Sequence, residues 1–174
     1  ALLRILAIGI GPLDVTLTNV LWVLAALTMI VGNVMALIQE NIKRLLAYSS
    51  IAHAGYVLVA IAAANERGVS GGLFYLLAYT LMNIGAFAVV VAIGRKGDDN
   101  LEISSYAGVG FRHPALGLAM TLFMVSLAGL PPTAGFFGKF QIFSAAVEAG
   151  HIWLTVIGVL NSLVSVSYTH LRAH

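Results

Sequence analysis

Five stretches of this chain are apolar on the scale needed to cross the hydrocarbon core of a bilayer, roughly 20 residues at about 1.5 Å each, the last of them about five residues short. They run from about Leu17 to Ile38, Leu45 to Ala64, Gly72 to Ile93, Pro114 to Val147 and Ile152 to Val166. Lipid offers no hydrogen bonds, so each backbone group has to pair within its own segment, and helix is the expected conformation throughout. No alternating strand pattern argues for a barrel. With 60% of its 174 residues apolar and only 9% charged, the chain has too few polar groups to cover a water-facing surface, where about a quarter of residues would be charged. The same apolar content excludes disorder. The expected fold class is therefore all-α, a polytopic transmembrane helix bundle of about five to six spans with the lipid bilayer as its solvent.

Residues 1–8 read as the end of a sixth helix. The chain opens inside an apolar run with no initiating Met and no small-residue cleavage site, so a signal peptide is a poor reading and the piece looks cut from something longer. A single transmembrane domain is expected over residues 1–166. After Val166 the sequence turns polar, Ser167-Tyr168-Thr169-His170-Leu171-Arg172-Ala173-His174, and residues 167–174 read as a non-native tail.

The charges sit between the spans. Gln39-Glu40-Asn41 with Lys43-Arg44, then Asn65-Glu66-Arg67-Gly68, then Gly94 to Asn100, close the first three spans, and a polar loop carrying Glu102 and Arg112 follows. If Lys43-Arg44 faces the cytoplasm, alternation puts Arg95, Lys96 and Arg112 on the same side and leaves Arg67 opposite, in keeping with the positive-inside bias. Nine Lys/Arg against seven Asp/Glu, scattered in this way, make no nucleic-acid patch. Zero Cys excludes thiolate metal sites, thiolate-held iron–sulfur clusters and cysteine nucleophiles from the chain.

The fourth stretch is too long for one straight span and holds Leu130-Pro131-Pro132-Thr133 near its centre. Each proline lacks an N–H, so the carbonyls of Leu127 and Ala128 lose their usual partners, and Gly129, Gly135 and Gly138 loosen the surroundings. Such a break is tolerated in lipid only where protein or water covers it. Discontinuous helices of this kind sit at ion or substrate paths in transporters; a kink serving packing, or two short helices joined by a re-entrant turn, is the alternative.

Lys139 follows the break by about two turns and is the only ionisable residue between His113 and Glu148. Among Gly135, Phe136, Ile142 and Phe143 an ammonium loses water, which disfavours its charged form, so a proton could leave and return as a relay requires. The alternative is a lysine snorkelling to the interface. Ser49, His53 and Tyr56 are spaced to share one face of the second span, and Tyr75, Tyr79 and Asn83 form a second polar stripe on the third. Packed together they could hold a water chain around the imidazole of His53, or merely join helices. Asn33 and Asn161 read as interhelical glue.

Other chemistries lack support. Gly108-Val109-Gly110-Phe111-Arg112-His113 only partly matches a dinucleotide fingerprint, lacking the third Gly and a preceding strand. No paired histidines have metal-ligand spacing, and no Ser-centred nucleophile elbow is present. His113, His151, His170 and His174 fall at span ends or the terminus.

The stretches GNVMALIQENIKRLLAYSSIAHAGY (Gly32 to Tyr56), LAYTLMNIGAFAVV (Leu77 to Val90) and LAGLPPTAGFFGKFQIFSAAVEAG (Leu127 to Gly150) resemble the antiporter-like membrane subunits of respiratory complex I, the proton-pumping NADH:quinone oxidoreductase. The resemblance covers most of the chain to about Val166. It implies two inverted five-helix repeats in a complete subunit, of which this chain matches the second, with the Pro131-Pro132 break as its discontinuous helix. It further implies that Lys139 is the family's lysine on that helix, toward the exit half-channel, and that His53 is a shared histidine. Tyr79 stands where some relatives carry a second histidine, a departure that weakens a two-histidine wire. The function implied is proton translocation without a redox step in this chain, in a bacterial inner membrane beside other membrane subunits. NADH, FMN, iron–sulfur clusters and quinone are expected on those other subunits and no cofactor here. The alternatives are a subunit of a multisubunit sodium/proton antiporter or membrane-bound hydrogenase, which shares the break and the lysine, and a structural membrane scaffold.

Overall fold

A computed structural model describes residues 15–94, 102–103 and 109–170. Seven helices account for nearly all of them: α1 (Val15–Leu37), α2 (Ile42–Ala62), α3 (Glu66–Ile93), the single turn α4 (Val109–Arg112), α5 (Pro114–Ala128), α6 (Ala134–Glu148) and α7 (Ile152–His170). The all-α transmembrane bundle expected from the apolar runs is the fold observed. α1, α2 and α3 are each long and apolar enough to cross a membrane, while α5 and α6, at 15 residues apiece, are each too short to do so alone. The reading of residues 1–8 as a helix end, and the placements of Arg95 and Lys96, lie outside the described residues.

Two boundaries differ from the apolar runs for one reason, capping by asparagine. The Asn41 side chain accepts from the backbone N–H groups of Lys43 and Arg44 at 3.0 and 3.2 Å, so α2 begins at Ile42, ahead of the charged pair. Asn65 accepts from Gly68 N–H at 2.7 Å, so Glu66-Arg67-Gly68 form the first turn of α3 instead of a loop. A cap oxygen satisfies exposed N–H groups of a helix start, and in α3 the acidic Glu66 of the first turn also complements the helix dipole. The last helix also continues past Val166, through His170, since Ser, Tyr, Thr and His lower helix propensity without breaking it.

α1 and α2 form an antiparallel hairpin packed nearly backbone to backbone. A Cβ placed on Gly32 would lie 2.5 Å from the Ala52 nitrogen, and one on Gly55 would meet Met29 and Ala25. Small residues permit this approach where lipid supplies no hydrophobic drive for helix association. α3 lies against α2 and carries both halves of the broken helix along its length: α5 packs by Phe123 on Gly85, and α6 packs by Gly138 on Tyr75 and by Gln141 on Gly71. α7 closes the bundle against α1, α5 and α6. Its Asn161 meets Asn33 of α1, whose Nδ2 donates to both the backbone oxygen and Oδ1 of Asn161 at 3.0 Å.

The two ends of the bundle differ. At one, Ile103 N–H donates to Glu40 O at 2.9 Å and Glu102 bridges Asn41, tying the segment after α3 to the α1–α2 turn. At the other, Asn65 donates to Ala145 O at 3.0 Å and Arg67 pairs with Glu148. The α1–α2 and α2–α3 turns thus lie at opposite ends of the bundle.

Candidate functional site

The break falls where the prolines place it. The end of α5 closes in a Schellman arrangement, with Gly129 left-handed at φ 84°, its N–H donating to Ser126 O at 3.1 Å and Leu130 N–H to Val125 O at 3.2 Å. α6 restarts after a cis Pro131-Pro132 bond, with Thr133 as N-cap accepting from Phe136 N–H at 3.4 Å. The halves are held close because Gly135 lies against Ser126, where any Cβ would collide with the Ser126 carbonyl.

Two carbonyls, Leu127 and Ala128, are left by the missing proline N–H groups, and Lys139 satisfies both. Its Nζ donates to Leu127 O at 3.1 Å, to Ala128 O at 3.0 Å and to Ser162 Oγ of α7 at 3.1 Å. The side chain is 4% exposed. It therefore turns inward to the break and does not snorkel to an interface. The flanking contacts of α6 fix its depth: Gly138 faces Tyr75, nine residues or about 14 Å along α3 from Glu66 at 1.5 Å per residue. A cation there is costly unless hydrogen-bonded and shielded, and the Tyr56 ring supplies further shielding, its centroid 4.8 Å from Nζ.

Tyr56 links the lysine to His53. The His53 imidazole, 2% exposed, makes a T-shaped contact with Tyr56 at 5.7 Å between centroids and stacks on Tyr79 at 4.8 Å. Its Nδ1 and the Tyr75 hydroxyl share a hydrogen bond, whose direction follows the imidazole tautomer. The stripes read on α2 and α3 do pack face to face, though not every member joins. Ser49 donates within its own helix to Leu46 O at 3.0 Å. Asn83 keeps its Oδ1 buried one turn beyond Tyr79, with no hydrogen-bond partner among the described residues. Lys139, Tyr56, His53, Tyr75 and Tyr79, with Pro131 and Pro132 creating the vacancy that Lys139 fills, make up the cluster brought together.

Ser162 and Ser126 were not legible as site residues. Ser126 Oγ accepts from Gly135 N–H at 3.3 Å, and Ser162 Oγ donates to Ala128 O at 3.3 Å. A serine in an apolar helix ordinarily bonds its own backbone, and only the fold shows that this one reaches another helix. Beside it a cavity of about 580 Å³ runs between α6 and α7 from Lys139 and Ser162 to Arg67 and Glu148 at the bundle end. No group of three or more His, Asp, Glu or Cys among the described residues is placed to hold a metal.

A model of the family described as "NADH:quinone oxidoreductase/Mrp antiporter, TM" matches residues 1–165. NADH-quinone oxidoreductase subunit N of Trichlorobacter lovleyi is 60% identical over 168 residues, covering 97% of this chain and 34% of its own length. Among solved structures, a chain of respiratory complex I from Thermus thermophilus with bound aureothin superposes with a TM-score of 0.78 at 43% identity, over 87% of this chain and 34% of that one. A chain of the Mrp complex from Dietzia sp. DQ12-45-1b superposes with a TM-score of 0.89 at 27% identity, over 98% and 32%. The chain spans about a third of the length of the curated relatives it matches.

Proposed function

Because the chain belongs to the NADH:quinone oxidoreductase/Mrp antiporter transmembrane family, we propose that it forms part of a proton-translocating membrane subunit of an NADH:quinone oxidoreductase. In this reading the chain works in a bacterial inner membrane against other membrane subunits, and electron transfer, with its NADH, FMN, iron–sulfur clusters and quinone, takes place on those subunits. This chain carries no redox step. It moves protons.

The observation that carries the proposal is the buried Lys139, held by the end of a broken helix on one side and by the Tyr56 ring on the other, behind which the His53–Tyr75 pair packs. An amine can take and release a proton, and imidazole and phenol beside it can donate and accept in turn. The break supplies oriented carbonyl dipoles that hold the ammonium without fixing a counter-ion to it, so its charge can change without leaving a buried carboxylate unpaired.

Lys139→Ala and Lys139→Arg, each in the full-length subunit within its assembled complex, are expected to lower NADH-driven proton translocation at least about tenfold. Guanidinium stays protonated to above about pH 12 and cannot act as a carrier. Parental flux in a well-assembled Lys139→Arg complex would reduce Lys139 to a fixed charge and overturn the carrier reading. The Mrp likeness favours a second reading, a multisubunit cation/proton antiporter subunit; the 60% identity to a quinone oxidoreductase subunit supports the first.

A further inference from the structure

Lys139 Nζ has three N–H bonds when protonated, and it meets three acceptors: Leu127 O, Ala128 O and Ser162 Oγ. The Ser162 hydroxyl hydrogen is meanwhile directed at Ala128 O, 3.3 Å away. Every donor of the ammonium is matched, in a side chain that is nearly sealed from solvent. When one N–H bond breaks and its proton passes to a water molecule in the adjoining cavity, the electron pair stays on Nζ, which now offers two N–H donors and a lone pair. The two carbonyls can take the two donors. They can only accept, however, and so can do nothing for the lone pair. Ser162 alone among the three partners carries an O–H, and it can turn that O–H from Ala128 O to Nζ.

We infer that Ser162 is a positioning residue for proton release from Lys139, the one partner whose hydrogen bond to the amine reverses direction when the proton leaves. The inference rests on the reading of Lys139 as a proton carrier. Rotation of one hydroxyl keeps the amine at the end of α5 in both protonation states, with no buried polar atom left unpaired and no movement of the lysine. Position favours the role as well. Ser162 and Lys139 share a wall of a largely apolar cavity whose polar lining, Thr155, Ser144, Glu148 and Arg67, supplies the partners that a water needs on the way to the bundle end. The neighbouring Asn161, held to Asn33 of α1, fixes the backbone from which the hydroxyl turns.

The test uses the full-length subunit in its assembled complex, reconstituted into liposomes, with proton movement followed by a pH-sensitive dye during NADH turnover and complex amount set by native electrophoresis. Ser162→Ala is expected to slow translocation about five- to tenfold, the effect of the one hydrogen bond lost to the neutral amine. Ser162→Thr keeps the hydroxyl and is expected to restore most of the rate; should it fail to assemble, Ser162→Cys takes its place, with an intermediate rate from its weaker S–H donor. A parental rate in Ser162→Ala overturns the inference, as does an equal loss in the alanine variant and the hydroxyl- or thiol-bearing one, which assigns the position to packing. Lys139→Ala measured in parallel separates the two levels. A parental rate there removes the carrier reading and the role of Ser162 with it, whereas a slow Lys139→Ala beside a parental Ser162→Ala removes the role of Ser162 alone.

Discussion

Tyr56 stands between two protonatable side chains, with the Lys139 ammonium over its ring and the His53 imidazole in T-shaped contact with it. Through His53 the contact extends to Tyr75 by a hydrogen bond and to Tyr79 by stacking. His53→Ala and Tyr75→Phe, each in the assembled full-length complex, are therefore expected to slow proton translocation by about two- to tenfold, because each removes one member of a buried hydrogen-bonded pair. Parental rates in both variants would make the cluster a packing device. Spacing alone located His53, Tyr56, Tyr75 and Tyr79, since residues four apart share a helix face. It could not distinguish Ser49, whose hydroxyl bonds its own helix at Leu46 O, from the residues that reach across. Nor could it find Ser162, because partnership with Lys139 depends on how α7 lies against the break.

At the scale of elements, the prolines were the most legible feature. They predicted both the interruption and the two carbonyls it frees, and those are the carbonyls that Lys139 takes. Helix starts were less legible, because an asparagine in a charged cluster looks the same whether it lies in a loop or caps the next helix; Asn41 and Asn65 do the latter. Close approach of whole helices rests on glycines that composition does not single out. Gly32→Ala would put a Cβ 2.5 Å from the Ala52 backbone nitrogen, and neither backbone can yield without separating α1 from α2. A loss of about 1–3 kcal/mol is expected, read as a lowered thermal midpoint of the purified complex in detergent. Gly110→Ala, which meets nothing within 4 Å, serves as the control and is expected to leave the midpoint unchanged.

For the molecule as a whole, outward faces are apolar along α1 (Leu24, Leu27, Val31), α3 (Leu77, Leu81, Ile84) and α7 (Leu160, Leu163), the reverse of a soluble domain and the form expected where lipid or another membrane subunit is the neighbour. The exposed charges lie at the ends of the bundle, and the bias of Lys43 and Arg44 against Arg67 predicts which end faces the cytoplasm. Single cysteines can report this because the chain has none. Lys43→Cys is expected to react with an impermeant thiol reagent from the cytoplasmic side only, and Glu66→Cys from the opposite side only; the converse pattern would invert the orientation. The Asn33–Asn161 pair has a bearing on what such a bundle holds in place. It fastens α7 to α1 one residue before Ser162 touches the broken helix, so the hydroxyl that meets Lys139 hangs from a point tied to a third helix. That pair acts as an anchor: it holds Ser162 at the level of the break while its hydroxyl is free to turn between Ala128 O and the amine.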